Sequence, residues 1–200
     1  MKCRFIFLTI SITIFSCDVS KSISKEKELS KETIYHELDL SKIDTNDYLI
    51  ISSEVGPFFE MGVPFAFINK RNDTIIPVGI YYTTWTDTLK TFAIVSKNSE
   101  MIGIDRNENL LYSVFTFDNG PDYIVEGLFR IIRNGKIGYA NKYGEVVIPC
   151  QYDCAYYFEN GKAKVSNNCK TIKEGDHYRW LSDDWYYIDK QGNRINNYKN

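Results

Sequence analysis

Apolar residues in this chain come in short runs separated by turn-forming residues, a pattern that predicts strands and hairpins rather than helices. Tyr48 to Val55 reads Tyr-Leu-Ile-Ile-Ser-Ser-Glu-Val and predicts a strand that Gly56-Pro57 ends. Gln151 to Phe158 and Lys162 to Ser166 predict two more. Asn134-Gly135 and Asn160-Gly161 are hairpin signals, because both central residues of a type I′ loop need positive φ. Ile34, Leu38 and Leu40 are spaced to form either one short amphipathic helix or a plain transition into the first strand.

Beyond Pro64 the chain repeats itself. Phe67-Ile68-Asn69-Lys70-Arg71-Asn72 leads into Ile75-Ile76-Pro77, and Gly103-Ile104-Asp105-Arg106-Asn107-Glu108-Asn109 into Leu110-Leu111. Gly138-Tyr139-Ala140-Asn141-Lys142-Tyr143-Gly144 leads into Val146-Val147-Ile148-Pro149, and Tyr186-Tyr187-Ile188-Asp189-Lys190-Gln191-Gly192 comes before Ile195. Phe67 and Ile102, like Gly103 and Gly138, stand 35 residues apart, which suggests a period of 35. An Asn or Asp that hydrogen-bonds its own backbone starts a turn, and a Gly or Asn shortly after it tolerates the left-handed conformation that sends the chain back antiparallel. Each unit therefore predicts a meander of three or four strands. The last interval is longer because Cys169 to Asp184, a polar stretch carrying Trp180, is inserted.

The amino terminus carries a different signal. Lys2 and Arg4 precede an apolar run from Phe5 to Phe15, followed by Ser16 and Cys17. The run falls short of the ~20 apolar residues that span a bilayer but suits the core of an export signal; the plainer reading is a buried first strand. Ile14-Phe15-Ser16-Cys17 resembles the lipobox of bacterial lipoproteins, which implies cleavage before Cys17 and lipid on its thiol. Asp18 to Glu32 is almost free of apolar residues and reads as a tether. The expected organisation is a signal peptide over 1–16, a lipid anchor and flexible tether over 17–33, and a β-repeat domain over 34–200, located at the bacterial cell envelope.

The repeated residues resemble the WG-repeat family of bacterial proteins, whose unit runs Trp-Gly-Tyr-Ile-Asp-Lys-x-Gly, then an apolar strand ending Ile-Pro, then Tyr-Asp and an aromatic-rich strand. Gly138-Tyr139-Ala140-Asn141-Lys142-Tyr143-Gly144, Ile148-Pro149 and Tyr152-Asp153 match best, and Trp185-Tyr186-Tyr187-Ile188-Asp189-Lys190-Gln191-Gly192 keeps the Trp with Tyr186 in place of Gly. Ile102 and Ile137 stand where the family has Trp. The resemblance covers about Pro64 to Ile195. It implies a β-repeat scaffold. The expected fold is all-β, an array of about four antiparallel β-meander repeats in an open solenoid or partial propeller-like form, with Tyr48 to Val55 pairing with or covering one edge, because an uncovered edge invites association. The resemblance brings no catalytic residue.

Composition narrows the chemistry. Lys and Arg number 24 against 26 Asp and Glu, so no basic field exists to hold a phosphate backbone, and nucleic acid is not an expected partner. The 15 Tyr and 12 Phe favour strands. His36 and His177 are the two histidines; His177 lies beside Asp176, and neighbours in a strand point to opposite faces, so they make no triad. Behind Cys17, Cys150, Cys154 and Cys169 allow one disulfide, Cys169 with Cys150 or Cys154, or three buried thiols. Neither a metal site nor a cofactor is expected.

Tyr178, Trp180, Trp185, Tyr186 and Tyr187 form a candidate aromatic binding surface for an envelope protein or glycan, or else they pack the last unit as a cap. Asp176, Asp183, Asp184, Glu126 and Glu159 are the carboxylates that a glycan hydrolase would need in pairs ~5–10 Å apart. The expected function is a monomeric, non-catalytic binding or interaction scaffold tied to a membrane through Cys17; the alternative is a small envelope glycan or peptidoglycan hydrolase.

Overall fold

A computed structural model describes residues 33–53, 63–175 and 177–195. The signal, anchor and tether readings on residues 1–32 lie outside the described residues, as do Val55, Gly56, Pro57 and Asp176.

Residues 33–39 take no regular secondary structure, and among the described residues before the first strand the helical element is a 3-10 turn, Leu40–Lys42. The amphipathic helix does not form. The His36 N–H donates to the Leu110 carbonyl at 2.8 Å instead of to its own segment, and the Asp39 carboxylate captures the Ser41 N–H at 3.1 Å.

The described chain is all β, its strands pair antiparallel, and none of its sheets closes. Strands β1 (Leu49–Ser53), β2 (Phe65–Ile68) and β3 (Thr74–Ile76) form a meander, with β4 (Thr83–Thr84) and β5 (Thr88–Leu89) after it. The second meander is β6 (Ala93–Lys97), β7 (Glu100–Ile104) and β8 (Leu110–Val114), followed by the small hairpin of β9 (Thr116–Phe117) and β10 (Gly120–Pro121). The third is β11 (Leu128–Arg133), β12 (Lys136–Asn141) and β13 (Val146–Tyr152), with β14 (Cys154–Ala155) beyond. Last, β15 (Lys162–Ser166) pairs with β18 (Tyr186–Asp189), and the hairpin of β16 (Lys170–Glu174) and β17 (His177–Leu181) is inserted between them.

Tyr48 to Val55, expected to pair with or cover one edge of the array, contributes β1, which is bonded to β2 on one side and to β5 on the other within a four-stranded sheet. Gln151 to Phe158 is not one strand. The ladder of β13 breaks at Asp153, and Tyr156 to Phe158 leave it after β14.

Four hairpins share one construction. Asn69, Asp105, Asn141 and Asp189 each accept, on Oδ1, the N–H groups of the residues two and four positions on, at 2.8–3.2 Å. Their second side-chain atom then binds the side chain four positions on: Asn69 and Asn141 donate to Asp73 and Glu145, while Asp105 and Asp189 accept from Asn109 and Asn193. The residue three positions on is left-handed in all four, at Asn72, Glu108, Gly144 and Gly192. This is the three-residue hairpin loop in which a left-handed residue follows the turn. The first three turns recur every 36 residues, not 35. Matching Gly103 to Gly138 misaligned them by one, because the two glycines do different things. A side chain on Gly103 would meet the Tyr112 ring, whereas one on Gly138 would meet the β13 backbone at Ile148 O, 2.5 Å away.

The meanders are joined by sharing. β8 pairs with β7 along its length, and its end, Ser113 and Val114, pairs with Ile132 and Ile131 of β11. β4 likewise pairs with β6, and β14 with β15. Three buried clusters follow one another along the array. One surrounds Leu49, Phe67 and Val95, one Leu111, Tyr112, Phe129 and Ile131, and one Tyr139, Ile148, Phe158 and Ile188. Alternate residues of β6 and β11 serve different clusters, so both faces of these strands are apolar and the sequence shows runs instead of strict alternation.

Candidate functional site

The inserted hairpin holds two of the five aromatic residues singled out from sequence. It is fastened at its base by a disulfide between Cys154 and Cys169, Cα–Cα 5.8 Å, and by the Ser166 and Ser182 hydroxyls at 2.8 Å. Trp180 on β17 is half-buried, its ring edge-on to Tyr156 at 5.2 Å and to Phe115 at 5.9 Å. Trp185 lies 5.5 Å from the same Tyr156 ring, with Lys164 Nζ 5.0 Å from its own. Tyr186 and Tyr187 are neighbours on β18 and so point to opposite faces. Tyr186 meets Tyr152 and the Arg194 guanidinium, and Tyr187 meets Lys162. Tyr178 is exposed. The five therefore do not form one surface; Trp180 and Trp185 share Tyr156, and the others lie elsewhere.

The aromatic surface extends in a direction that the sequence reading missed. Phe117, Tyr123 and Tyr157 are 51%, 60% and 48% exposed, and Ile124 and Tyr156 beside them are exposed as well. Phe117 and Tyr123 flank the β9–β10 turn, where Asp118 and Asn119 both have positive φ, and their rings meet edge-on at 5.8 Å. With Val125, Asp122 and Arg130 these three rings line a recess of about 240 Å³.

Its floor is a buried ion pair. The Asp122 carboxylate accepts from Arg130 Nε at 2.8 Å, from Arg130 Nη2 at 2.5 Å and from the Arg130 main-chain N–H at 2.8 Å. Arg130 Nη1 donates to the Ala155 carbonyl at 3.3 Å, and the guanidinium lies over the Phe115 ring at 4.0 Å. Phe115 thus links the ion pair to Trp180. Asp118-Asn119 between two aromatics was the available signal for the hairpin.

Among the candidate carboxylates, Glu126 accepts the Gly161 N–H and pairs with Lys190 at 3.0 Å; that lysine holds its carboxyl below the usual range, so it is a poor proton donor. Asp183, Asp184 and Glu159 are exposed. Asp176 and the His177 side chain lie outside the described residues, and the His36 backbone serves the sheet. Cys150 is a free, half-buried thiol that burial pushes up to about 11. Among the described residues no group of three or more His, Cys, Asp or Glu is placed to hold a metal ion.

Residues 137–170, from β12 through β15, match the family model of the WG containing repeat. No curated protein and no solved structure matches the chain.

Proposed function

Starting from a chain that carries a WG-containing repeat, we propose that it is a non-catalytic binding scaffold of the bacterial cell envelope, exported and held to a membrane by lipid on Cys17. The four hairpins of one construction are read as four units of a single repeat in an open array, which offers a long surface to partners.

One observation carries the binding reading: Phe117, Tyr123, Ile124, Tyr156 and Tyr157 are exposed beside Trp180 and Trp185. Exposed apolar residues scattered singly need no explanation, but a contiguous group on a small domain marks an interaction site. Tyr156 is braced by Trp180 of the inserted hairpin, which itself packs on Phe115, and Phe117 and Tyr123 brace each other, which lowers the ordering entropy that opposes binding. The anchor is supported by Lys2, Arg4, the apolar run and Ser16-Cys17.

Intact mass and detergent partitioning of wild type beside Cys17→Ala test the envelope reading in a bacterial host. The wild type is expected to lose residues 1–16, gain acyl mass and enter the detergent phase while the variant does not. If both remain full length and in the aqueous phase, the anchor reading falls.

A further inference from the structure

We infer that the recess between Phe117, Tyr123 and Tyr157 takes one uncharged sugar ring of a glycan. The inference rests on the binding-scaffold reading and gives it a ligand class.

Size sets the first limit. At about 240 Å³ the recess lies below the ~300–1,000 Å³ of pockets for drug-sized ligands, so it holds a single ring with the remainder of the ligand outside. The walls set the second. Three half-exposed aromatic rings, two of them tyrosines, offer flat apolar faces and, on the tyrosines, polar tips. A pyranose has that same division, with C–H groups on its faces and hydroxyls round its edge.

The floor decides among ligand classes. Arg130 and Asp122 neutralise each other, so the recess has no net charge to attract an anion or a cation. Each keeps unused capacity. A guanidinium has five N–H groups, and one at Nε, one at Nη2 and one at Nη1 are engaged. A carboxylate has about four acceptor positions, and three are filled by Arg130. Both residues line the recess, so a ligand group that reaches the floor meets a pair without net charge. A hydroxyl both donates and accepts and matches that arrangement without charge.

The test is a fluorescence and calorimetric titration of the full-length protein in detergent. The probes are neutral tetrasaccharides of N-acetylglucosamine, β-1,4-glucose, α-1,4-glucose and mannose, together with an uncharged aromatic-rich tetrapeptide. At least one saccharide is expected to bind. Tyr157→Ala and Phe117→Ala should then raise its Kd tenfold or more, Tyr157→Phe should change it less than threefold, and Tyr82→Ala, an exposed tyrosine on another part of the array, should leave it unchanged. Saccharide binding that ignores Tyr157→Ala and Phe117→Ala overturns the recess but leaves the scaffold reading standing. Peptide binding that both variants abolish, with no saccharide bound, overturns the ligand class alone. Binding of neither probe class overturns the inference, and failure of a wider screen of envelope proteins would then remove the scaffold reading too.

Discussion

Deleting the Asp122 carboxylate would strand a guanidinium whose side chain is 6% exposed. Asp122→Ala removes three hydrogen bonds accepted from Arg130 and leaves that cation with the Ala155 carbonyl, at 3.3 Å, as its remaining polar partner. Breaking a buried pair by removing one member costs about 3–5 kcal/mol, a large share of the ~5–15 kcal/mol that stabilises a typical domain. Replacing both members by apolar residues is different, because no charge remains buried. Asp122→Leu with Arg130→Met is expected to be less destabilised than Asp122→Ala alone, helped by retained contact with Phe115. Urea unfolding followed by tryptophan fluorescence at pH 7 measures both, provided the slope with denaturant stays constant across variants. A loss under about 1 kcal/mol for Asp122→Ala, or a double variant worse than the single, would refute the account of this ion pair as a desolvated pair whose members depend on each other.

Cys169→Ser opens a loop with a sequence separation of 15 and is expected to cost about 3 kcal/mol; equal urea midpoints for variant and wild type would contradict this. Burial raises the Cys150 thiol to about 11, so native protein at pH 8 should alkylate with iodoacetamide far more slowly than urea-unfolded protein, and equal rates would show the site to be open. The carboxyl of Glu126 is lowered chiefly by its hydrogen bond to Lys190, so its contribution to stability is present above its unfolded value and disappears as pH falls through the lower folded one. Stability of Glu126→Gln should therefore fall less steeply below about pH 4.3 than that of wild type, measured by denaturant midpoint against pH. Gly138→Ala places a Cβ 2.5 Å from the Ile148 carbonyl oxygen, a backbone atom that cannot swing aside; overpacking of this kind costs about 1–3 kcal/mol, and an unchanged melting temperature would sink the close-approach argument.

What was legible in the sequence was what short-range chemistry dictates. Asn69, Asp105, Asn141 and Asp189 announce their turns because the acceptor and the N–H groups it captures lie within four residues. Asn134-Gly135 and Asn160-Gly161 announced two hairpins, yet Asn98-Ser99, Asp118-Asn119 and Glu126-Gly127 take the same positive φ values with less typical residues. The period came out one residue short because Phe67 was matched to Ile102 and Gly103 to Gly138 instead of turn to turn at Asn69, Asp105 and Asn141, and glycine at 103 and at 138 answers to different neighbours. The aromatic surface was only partly legible. Trp180 and Trp185 were seen, but Tyr156, Tyr157, Phe117 and Tyr123 reach that side of the array only after β11 has paired with β8 and β14 with β15. Arg130 and Asp122, eight residues apart, were not singled out from the sequence, because nothing local marks them as a pair; folding turns them inward.

The sharing of β8 between β7 and β11 has a consequence for how the molecule tolerates damage and growth. There is no seam. Ending the chain after Val114 would leave that strand with an open edge, and starting it at Leu128 would do the same to β11, so fragments cut at the apparent boundaries should be sticky and poorly soluble. Extra chain is accommodated only at hairpin tips and crossings outside the ladder. The two additions present, β9–β10 and β16–β17, sit at such points, and they carry Phe117 and Trp180. In this architecture the ladder is closed to variation, and novelty of surface has to enter through its loops.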